Sequence, residues 1–322
     1  MLGTAISVTL SFMLAKAAAQ LLRGFCMGSA DVVPGVSGGT VAFVLGIYEQ
    51  LIANVRQGAL VLGSGLRLNP RAAADHFRRI DWLFLVPLLA GIGIAIVSLA
   101  HTIETLLDEQ PVGMAALFFG FVAASIYVAW SGLKNRDIER LAVLVLVAIL
   151  TFFVLGFRSG TNDDPALWFV LVAGSIAICA MILPGISGSF VLLMIGLYDY
   201  ILSALNDRDL VVIGVFLVGA VAGLALFSSL LGWMLRRHHD TVLAALIGLM
   251  AGSLRVLWPW PDGTDTAKLS WPAADDILVP VALALVAFAL VIGLSELSRR
   301  ATSARRPAAS PPPTPAGESD RP

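Results

Sequence analysis

The sequence predicts an all-α polytopic membrane protein with two inverted-topology repeats, each containing a broken, re-entrant helical hairpin. Three observations predict this fold class: an apolar composition, a series of segments long enough to cross a bilayer, and a Pro-Gly motif that occurs twice. Apolar residues make up 58% of the 322 positions, charged residues make up 13%, and the mean hydropathy is +0.87. Soluble domains carry about 25% charged residues. Because this chain has too few charges to cover a soluble globule, its composition indicates a lipid environment.

Six segments reach about the 20 apolar residues that a helix needs to cross the hydrocarbon core. A seventh segment, residues 6–22, is weaker because Lys16 interrupts it, and the sequence leaves open whether it spans the membrane or lies at the interface. The apolar regions around Pro34 and Pro184 are broken in the middle. The six clear candidates are residues 82–100, 112–131, 141–157, 211–235, 242–258 and 277–295.

The loops between these segments alternate in charge, which orients the chain. Basic loops face the cytoplasm by the positive-inside rule, and the assignment is consistent only if the chain enters and leaves on one side around Pro34 and again around Pro184. The basic group is Arg56, Arg67, Arg71, Arg78, Arg79, then Lys134, Arg136, Arg140, then Arg236, Arg237, then Arg299, Arg300, Arg305 and Arg306. The acidic group is Glu104, Asp108, Glu109, then Asp163, Asp164, then Asp262, Asp265, Asp275 and Asp276.

An internal repeat is the strongest single feature of the sequence. The motif VPGVSGG at residues 33–39 recurs as LPGISGS at 183–189, and GIYE at 46–49 recurs as GLYD at 196–199, both with a spacing of 150 residues. Gly91 and Gly219 pair at a spacing of 128, and one indel in the loop after Ile52 explains both spacings. Chance similarity of apolar helices is the alternative, and it does not explain Pro, Gly, Ser and Tyr recurring in one register. Segments 82–100 and 211–235 run in opposite directions by loop charge, so the repeats are expected to be inverted.

These features divide the chain into four parts. The first membrane repeat is expected at residues 1–135, the second at 136–260, and a final transmembrane helix at 261–298. Residues 299–322, rich in Pro, Ala, Ser and Arg, are expected to form a disordered cytoplasmic tail.

The repeated motif predicts an anion site. Pro34 removes a backbone donor and the glycines tolerate non-helical dihedrals, so a helix is expected to stop near Val33 and another to start near Ser37 or Gly38. A helix N-terminus inside the membrane offers free N–H groups that suit a phosphate or a carboxylate. The alternative is that small residues only allow tight helix packing. The residues predicted to hold substrate are Pro34, Gly35, Ser37, Gly38, Gly39 and Thr40 in the first copy, with Pro184, Gly185, Ser187, Gly188 and Ser189 in the second.

Charged residues near the motif are further candidates, because ionisable groups at membrane depth usually serve function or pair with each other. Asp31, Glu49 and its counterpart Asp199 are candidates for proton coupling, and Arg23 and Arg255 are candidates for holding the anion. The alternative is that the arginines reach the lipid head groups and the acids cap helices.

Other classes of function lack a pattern in this sequence. No zinc-ligand spacing connects Cys26, Cys179 and the four histidines, so neither a metal nor another cofactor is expected. A membrane lipid phosphatase needs a nucleophile with a partnered base or metal-binding carboxylates, and His101 near Glu104 has no such partners. The net charge of −1 gives no indication of nucleic-acid binding.

Residues 24–40, GFCMGSADVVPGVSGGT, followed by GIYE at 46–49, resemble a bacterial membrane family of undecaprenyl phosphate translocases, the PopT type. The resemblance covers roughly residues 21–298, and the second copy departs from the first at Ser189 and Phe190. It implies a non-enzymatic flippase of the cytoplasmic membrane that returns a polyprenyl monophosphate to the inner leaflet for reuse in cell-wall synthesis. The implied partners are this anionic lipid and the surrounding membrane lipids.

Physical features of the chain alone leave the substrate open. A secondary transporter for a small anion or ion would share the inverted repeat and the hairpins, whereas a scaffold would not need two broken helices. A sealed aqueous cavity favours the small anion, and a groove open sideways to lipid favours the flippase. The sequence also leaves open the coupling ion, with protons as one candidate, the direction of net transport and the oligomeric state.

Overall fold

The computed structural model describes residues 2–33, 36–157, 160, 162, 164–261, 269–273 and 276–304. Pro34, Gly35, four of the acidic loop residues (Asp163, Asp262, Asp265 and Asp275) and residues 305–322 of the expected tail lie outside these ranges. All regular secondary structure within them is helical, as predicted. The helices are α1 (Leu2–Asp31), α2 (Gly38–Val44), α3 (Tyr48–Leu66), α4 (Pro70–Arg78), α5 (Trp82–Glu109), α6 (Pro111–Gly132), α7 (Ile138–Val154), α8 (Leu167–Ile182), α9 (Gly188–Met194), α10 (Tyr198–Asn206), α11 (Leu210–Arg237), α12 (His239–Ser253) and α13 (Leu278–Ala304).

Four described helices, α5, α6, α11 and α13, are long and apolar enough to cross a membrane. The number rises to five if α9 and α10, which meet at an angle of 112°, count as one broken span. The predicted span 141–157 corresponds to α7, which has the predicted length of 17 residues but begins and ends three residues earlier. The predicted span 242–258 corresponds to α12, which is shorter at 15 residues. α12 ends early because a turn begins at Leu254. The weak segment 6–22 belongs to α1, which Lys16 does not interrupt.

Two of the predicted charged loops are hinges of a single residue. Glu104, Asp108 and Glu109 lie inside α5, which continues to within one residue of α6, and Arg236 and Arg237 likewise end α11. The hinge residues have nearly the same backbone conformation, with φ −135° and ψ 53° at Gln110 and φ −134° and ψ 49° at His238. At its other end, α13 continues to Ala304 and so includes the first residues of the expected tail.

The long helices pack in pairs through glycines at which no side chain fits. A Cβ added at Gly24 would overlap the carbonyl oxygen of Leu88, and one added at Gly28 would lie 2.6 Å from that of Ile92. Because the second contact lies four residues after the first on both helices, α1 and α5 run in the same direction. In the same way Gly219 packs on the backbone of Leu171 and Gly223, four residues later, on that of Ser175, so α8 and α11 also run in the same direction.

The remaining long helices form two further pairs, each of which joins one of the helices α1–α7 to one of the helices α8–α13. Gly120 on α6 packs on the backbone of Ala284 on α13, and Gly248 on α12 packs on that of Leu144 on α7. Each pair therefore joins a helix from one half of the sequence to a helix from the other half.

Helices α1 and α8 both end about halfway along their neighbours. Gly28, one turn before the end of α1, lies against Ala95 near the middle of α5. The Cys179 thiol, one turn before the end of α8, donates to the carbonyl of Gly223 near the middle of α11 at 3.6 Å. The two helix ends are consequently deep in the bundle, surrounded by the buried side chains of Val33, Val36, Ile247 and Met250.

Candidate functional site

The two interruptions of the helices meet in the interior. The first lies between Asp31 and Gly38 and the second between Ile182 and Gly188, so the predicted helix start at Ser37 or Gly38 is confirmed. The Ser37 hydroxyl donates to the carbonyl of Met181 at 3.3 Å, and the Gly185 amide donates to the Thr40 hydroxyl at 2.8 Å. Hydrogen bonds across about 145 residues of sequence therefore join the two interruptions.

The backbone amides at the start of α2 are occupied by acceptors of the protein itself. The Gly38 amide donates to the Asp31 carboxylate at 2.6 Å, and the Gly39 amide donates to the Ser37 hydroxyl at 3.0 Å. Ser37 is only 1% exposed. The expectation of free N–H groups at this first interruption is therefore wrong in this conformation. The physical reason is that the partial positive charge of a helix start attracts the nearest carboxylate, which α1 delivers.

The second interruption has a different arrangement. Ser187 precedes α9, and its side chain makes no capping hydrogen bond; it bonds the Ser189 hydroxyl instead, at 2.8 Å. Within the part of the chain that the structure describes, no protein acceptor lies on the amides of Gly188 or Ser189. The predicted free helix start is therefore present in the second copy only.

A cavity of about 320 Å³ lies between the two interruptions. We call it the central cavity. Its polar side is formed by the Asp31 carboxylate and the hydroxyls of Ser37, Ser187 and Ser189, and its apolar side by α8 and α11, including Phe216. The cavity thus brings hydroxyl donors, one carboxylate and an apolar wall together.

Several residues of the motif lie behind the central cavity and serve packing. Thr40 is fully buried, and a Cβ added at Gly39 would lie 2.9 Å from the carbonyl oxygen of Ile182. Gly185 has a φ of +88°, and a Cβ there would lie 2.7 Å from the Cα of Met250. Pro184 is fully buried. Pro34 and Gly35, which belong to the predicted site, lie outside the described residues.

The two candidate arginines lie away from the central cavity. Arg23 lines a separate cavity with Lys16 and Asp81 and donates to the Gln20 side chain at 3.3 Å. Arg255 lies with its guanidinium carbon 4.6 Å from the centre of the Phe152 ring. The structure therefore does not bring either arginine to the serines of the central cavity.

Of the three acidic candidates, only Asp31 lines the central cavity. Asp199 is exposed in the first turn of α10. Glu49 accepts from the ring of His239 at 2.7 Å, and this hydrogen bond raises the pKa of the His239 imidazole. Glu49 also lines a larger cavity of about 620 Å³ between the α2–α3 turn, α6, α12 and α13.

Tyr48 contributes to the site in a way that the sequence did not indicate. It is 3% exposed, and its hydroxyl donates to the carbonyl of Ile182 at 3.3 Å, which joins α3 to the second interruption. The available signal was its recurrence as Tyr198, which is equally compatible with an aromatic anchor at the membrane interface.

The fold and the site define the class: an α-helical membrane protein in which two interrupted helices meet at an amphipathic interior cavity. Comparison with known proteins agrees with this class. The model of the undecaprenyl phosphate translocase-like family matches residues 27–271, and the chain belongs to this family.

Two curated relatives support the assignment. A polyprenyl-phosphate transporter of Vibrio cholerae serotype O1 is 41% identical over 258 residues, which cover 78% of this chain and 79% of the relative. A polyprenyl-phosphate transporter of Staphylococcus aureus is 28% identical over 272 residues, covering 78% and 89%. Both relatives are named as transporters, in agreement with the expectation that this chain is not an enzyme. No solved structure matches the chain.

Proposed function

We propose that this protein moves undecaprenyl phosphate across the bacterial cytoplasmic membrane and returns the carrier lipid for reuse in cell-wall synthesis. The family and the names of both relatives support a polyprenyl phosphate as substrate. The observation that carries the proposal is the central cavity, where hydroxyl donors and unoccupied amides face an apolar wall. Such a cavity accepts a phosphate head while the isoprenoid tail stays in lipid.

The transport unit is an inverted repeat in this proposal. Equivalent positions share their conformation: Gly46 and Gly196 have φ values of +68° and +72°, and Asp81 and Asp209 cap α5 and α11. Arg56 on α3 lies against Gly232 near the end of α11, and Asn54 on α3 hydrogen-bonds Asp81 at the start of α5. The end of α11 and the start of α5 therefore lie at the same end of the bundle, which supports antiparallel, inverted copies.

The repeats extend further than the motif in this proposal. Gly120 on α6 packs on Ala284 of α13, and its equivalent Gly248 on α12 packs on Leu144 of α7. Leu144 and Ala284 are 140 residues apart, and the starts of α7 and α13 are also 140 residues apart, so the two contacts lie at the same position of each helix. We therefore pair α7 with α13, so that the first repeat runs from α1 to α7, with α4 as an insertion, and the second from α8 to α13. These bounds replace the expected divisions after residues 135 and 260.

Each interrupted pair is a re-entrant hairpin in this proposal. Because α1 runs with α5 and ends near its middle, and α3 returns to the start of α5, the first hairpin enters and leaves on one side. Non-helical backbone at that depth needs polar partners, and the hydrogen bonds between the two interruptions supply them. Basic residues at this end of the bundle make it the cytoplasmic side, where the C-terminal tail also lies.

The phosphate head is held at the second interruption. The Ser187 and Ser189 hydroxyls and the amides of Gly188 and Ser189 donate to its oxygens, since charge-assisted hydrogen bonds of this kind are the strong ones. Asp31 opposes the phosphate across the cavity as long as it is ionised. Proton binding at Asp31 removes that repulsion, so the proposal couples phosphate entry to a proton. Alternating access then exposes the cavity to each leaflet in turn.

The test is transfer of a fluorescent polyprenyl phosphate between leaflets of proteoliposomes. We expect the Ser187→Ala/Ser189→Ala protein to transfer the lipid about tenfold more slowly, because two donors to a charged group are lost. Ser228→Ala is the matched control, since Ser228 is buried and bonds the carbonyl of Ala225 in its own helix. Unchanged transfer by the double variant would exclude the central cavity as the head-group site. Uptake of inorganic phosphate in place of lipid transfer would favour the small-anion transporter.

A further inference from the structure

A second group of polar residues lies at the basic end of the bundle, apart from the central cavity. The α6–α7 loop and the α11–α12 hinge enclose a cleft of about 370 Å³. We call it the basic cleft. Its walls carry Lys134, Arg140, Arg237, His238 and His239, with Asp240 as its acidic residue.

The acidic groups around the basic cleft already have partners. Asp240 accepts from the Asn135 amide at 3.3 Å and from the ring of His239 at 3.1 Å. Asp137 pairs with Arg140 at 2.6 Å. Among the described residues, Lys134 and Arg237 form no ion pair, so two cationic side chains of the cleft can contact a ligand.

The opposite end of the bundle has the same hinge with the opposite charge. The residues DEQP at 108–111 stand where RRHH stands at 236–239, and the central residues Gln110 and His238 share their backbone conformation. Packing of the hinge does not require cations, since the same backbone forms with acidic residues beside it. The basic residues mark this end of the bundle as cytoplasmic by the positive-inside rule, and the hinge itself does not need them, so they can contact a ligand.

The basic cleft adjoins the cavity of about 620 Å³ that Glu49 lines, whose wall is partly polar and partly apolar. His239 lines the cleft and is the hydrogen-bond partner of Glu49 at 2.7 Å. Phe43, Val128 and Leu243 contribute apolar wall to that cavity. A ligand that fits both spaces has an anionic head and an apolar chain.

We propose that the basic cleft is a second binding site for the phosphate monoester of an isoprenoid lipid, with Lys134 and Arg237 on the phosphate and the first isoprene units in the adjoining cavity. His238 adds a ring N–H donor, whereas both ring nitrogens of His239 already bond the carboxylates of Glu49 and Asp240. Cationic side chains on a phosphate make charge-assisted hydrogen bonds. The site retains the head group at the basic end after it leaves the central cavity. The identity of the lipid rests on the proposed function, whereas the existence of the site does not.

The test measures binding of geranyl phosphate to the full chain in nanodiscs of zwitterionic lipid. The variants are made in the Ser187→Ala/Ser189→Ala protein, so that the central cavity does not contribute to the binding. In this background Lys134→Gln/Arg237→Gln is expected to bind geranyl phosphate about tenfold more weakly, since two cationic contacts are lost. Arg71→Gln/Arg79→Gln is the matched control, with the same change in charge on exposed residues near α4, and is expected to bind as the background protein does. Equal weakening in both variants would mean a general charge effect and would overturn the site.

A comparison of geranyl phosphate with inorganic phosphate identifies the ligand. Geranyl phosphate is expected to bind at least about tenfold more tightly than inorganic phosphate, because its chain buries apolar surface. Equal affinity for the two would overturn the lipid assignment and indicate a site for free phosphate. Normal binding by the cleft variant, together with slow transfer by the central serine variant, would refute this inference alone. Weakened binding by the cleft variant, together with normal transfer by the serine variant, would refute the proposed function alone.

Discussion

The two interrupted helices have similar sequences but differ in how their helix starts are satisfied. At the first, the Asp31 carboxylate accepts from the Gly38 amide; at the second, no carboxylate is present because Met181 stands at the position of Asp31. Ser189 and Phe190 replace Gly39 and Thr40. In the first copy, acceptors of the protein occupy the amides at the helix start, which we call the closed helix start. In the second copy these amides have no such acceptor among the described residues, and we call it the open helix start. The difference teaches that side chains flanking a motif decide whether its backbone amides face a ligand.

The largest expected effect on lipid transfer comes from a larger side chain at Gly38, in the closed helix start. A Cβ at Gly38 would lie 2.5 Å from a carboxylate oxygen of Asp31, so Gly38→Val breaks the contact that closes it. Overpacking of this kind costs about 1–3 kcal/mol, and we expect lipid transfer to fall about tenfold or more while membrane insertion is retained. Gly58→Val is the control, since Gly58 has open space around it. Wild-type transfer by Gly38→Val would show that the closed helix start plays no part in transport.

A carboxylate introduced at the second interruption tests whether the difference between the two helix starts matters for lipid transfer. We expect Met181→Asp to place an acceptor near the amides of Gly188 and Ser189 and to repel the phosphate, with transfer reduced about tenfold. The control is Met181→Leu, which keeps the apolar character of this cavity-lining position. Should the aspartate and leucine variants transfer lipid equally well, the open helix start has no role in binding.

A smaller effect is expected when the carboxylate is removed from the first interruption. Asp31→Asn keeps an acceptor oxygen for the Gly38 amide but can neither bind nor release the proton that the proposal couples to phosphate entry. We expect transfer about fivefold slower and no longer dependent on pH, measured in proteoliposomes between pH 5.5 and about 8.5. Glu49→Gln, measured in parallel, tests the other proton candidate that has a structural partner. If both variants keep the pH dependence of the wild type, proton coupling through these carboxylates is refuted.

The smallest effect concerns the exposed contact between the halves. Because Glu49 raises the pKa of His239, their pairing stabilises the fold fully below the pKa of the unfolded histidine, and this contribution is lost as pH rises through the raised folded value. The side chains are 42% and 60% exposed, so the contribution is expected to be below about 1 kcal/mol. NMR titration of Glu49→Gln should show a lower His239 pKa. A pKa equal to that of the wild type would show that the pair does not form in solution.

Much of the fold followed from local sequence. Long apolar runs predicted α5, α6, α11 and α13, because burial of a backbone in lipid requires helices of a set length. The helix start after Ser37 was also predictable, since proline and glycine act through their own residue's dihedrals. The end of α12 was not predictable, because the chain turns at Leu254 although the apolar run continues to Trp258.

The candidate site was predicted only in part. The serines, glycines and Asp31 were singled out by their repetition and their depth, and the central cavity brings Asp31, Ser37, Gly188, Ser187 and Ser189 together. Arg23 and Arg255 were chosen for charge alone, and they lie elsewhere because α1 places Arg23 beside Gln20 and the turn after α12 places Arg255 beside Phe152. Tyr48 was underestimated, since only its tertiary partner, the carbonyl of Ile182, gives its hydroxyl a role.

The sequence by itself determined that this chain is a membrane protein, that two of its helices are interrupted, and that the same motif stands at both interruptions. Composition, helix length and proline act locally or as sums over the chain, so they can be read without coordinates. Only the tertiary structure decided that the interruptions meet, that Asp31 occupies one helix start and not the other, and that Arg237 and Lys134 share a cleft. Those contacts join residues far apart in the sequence, and their distances depend on how the glycine-packed helix pairs are set against each other.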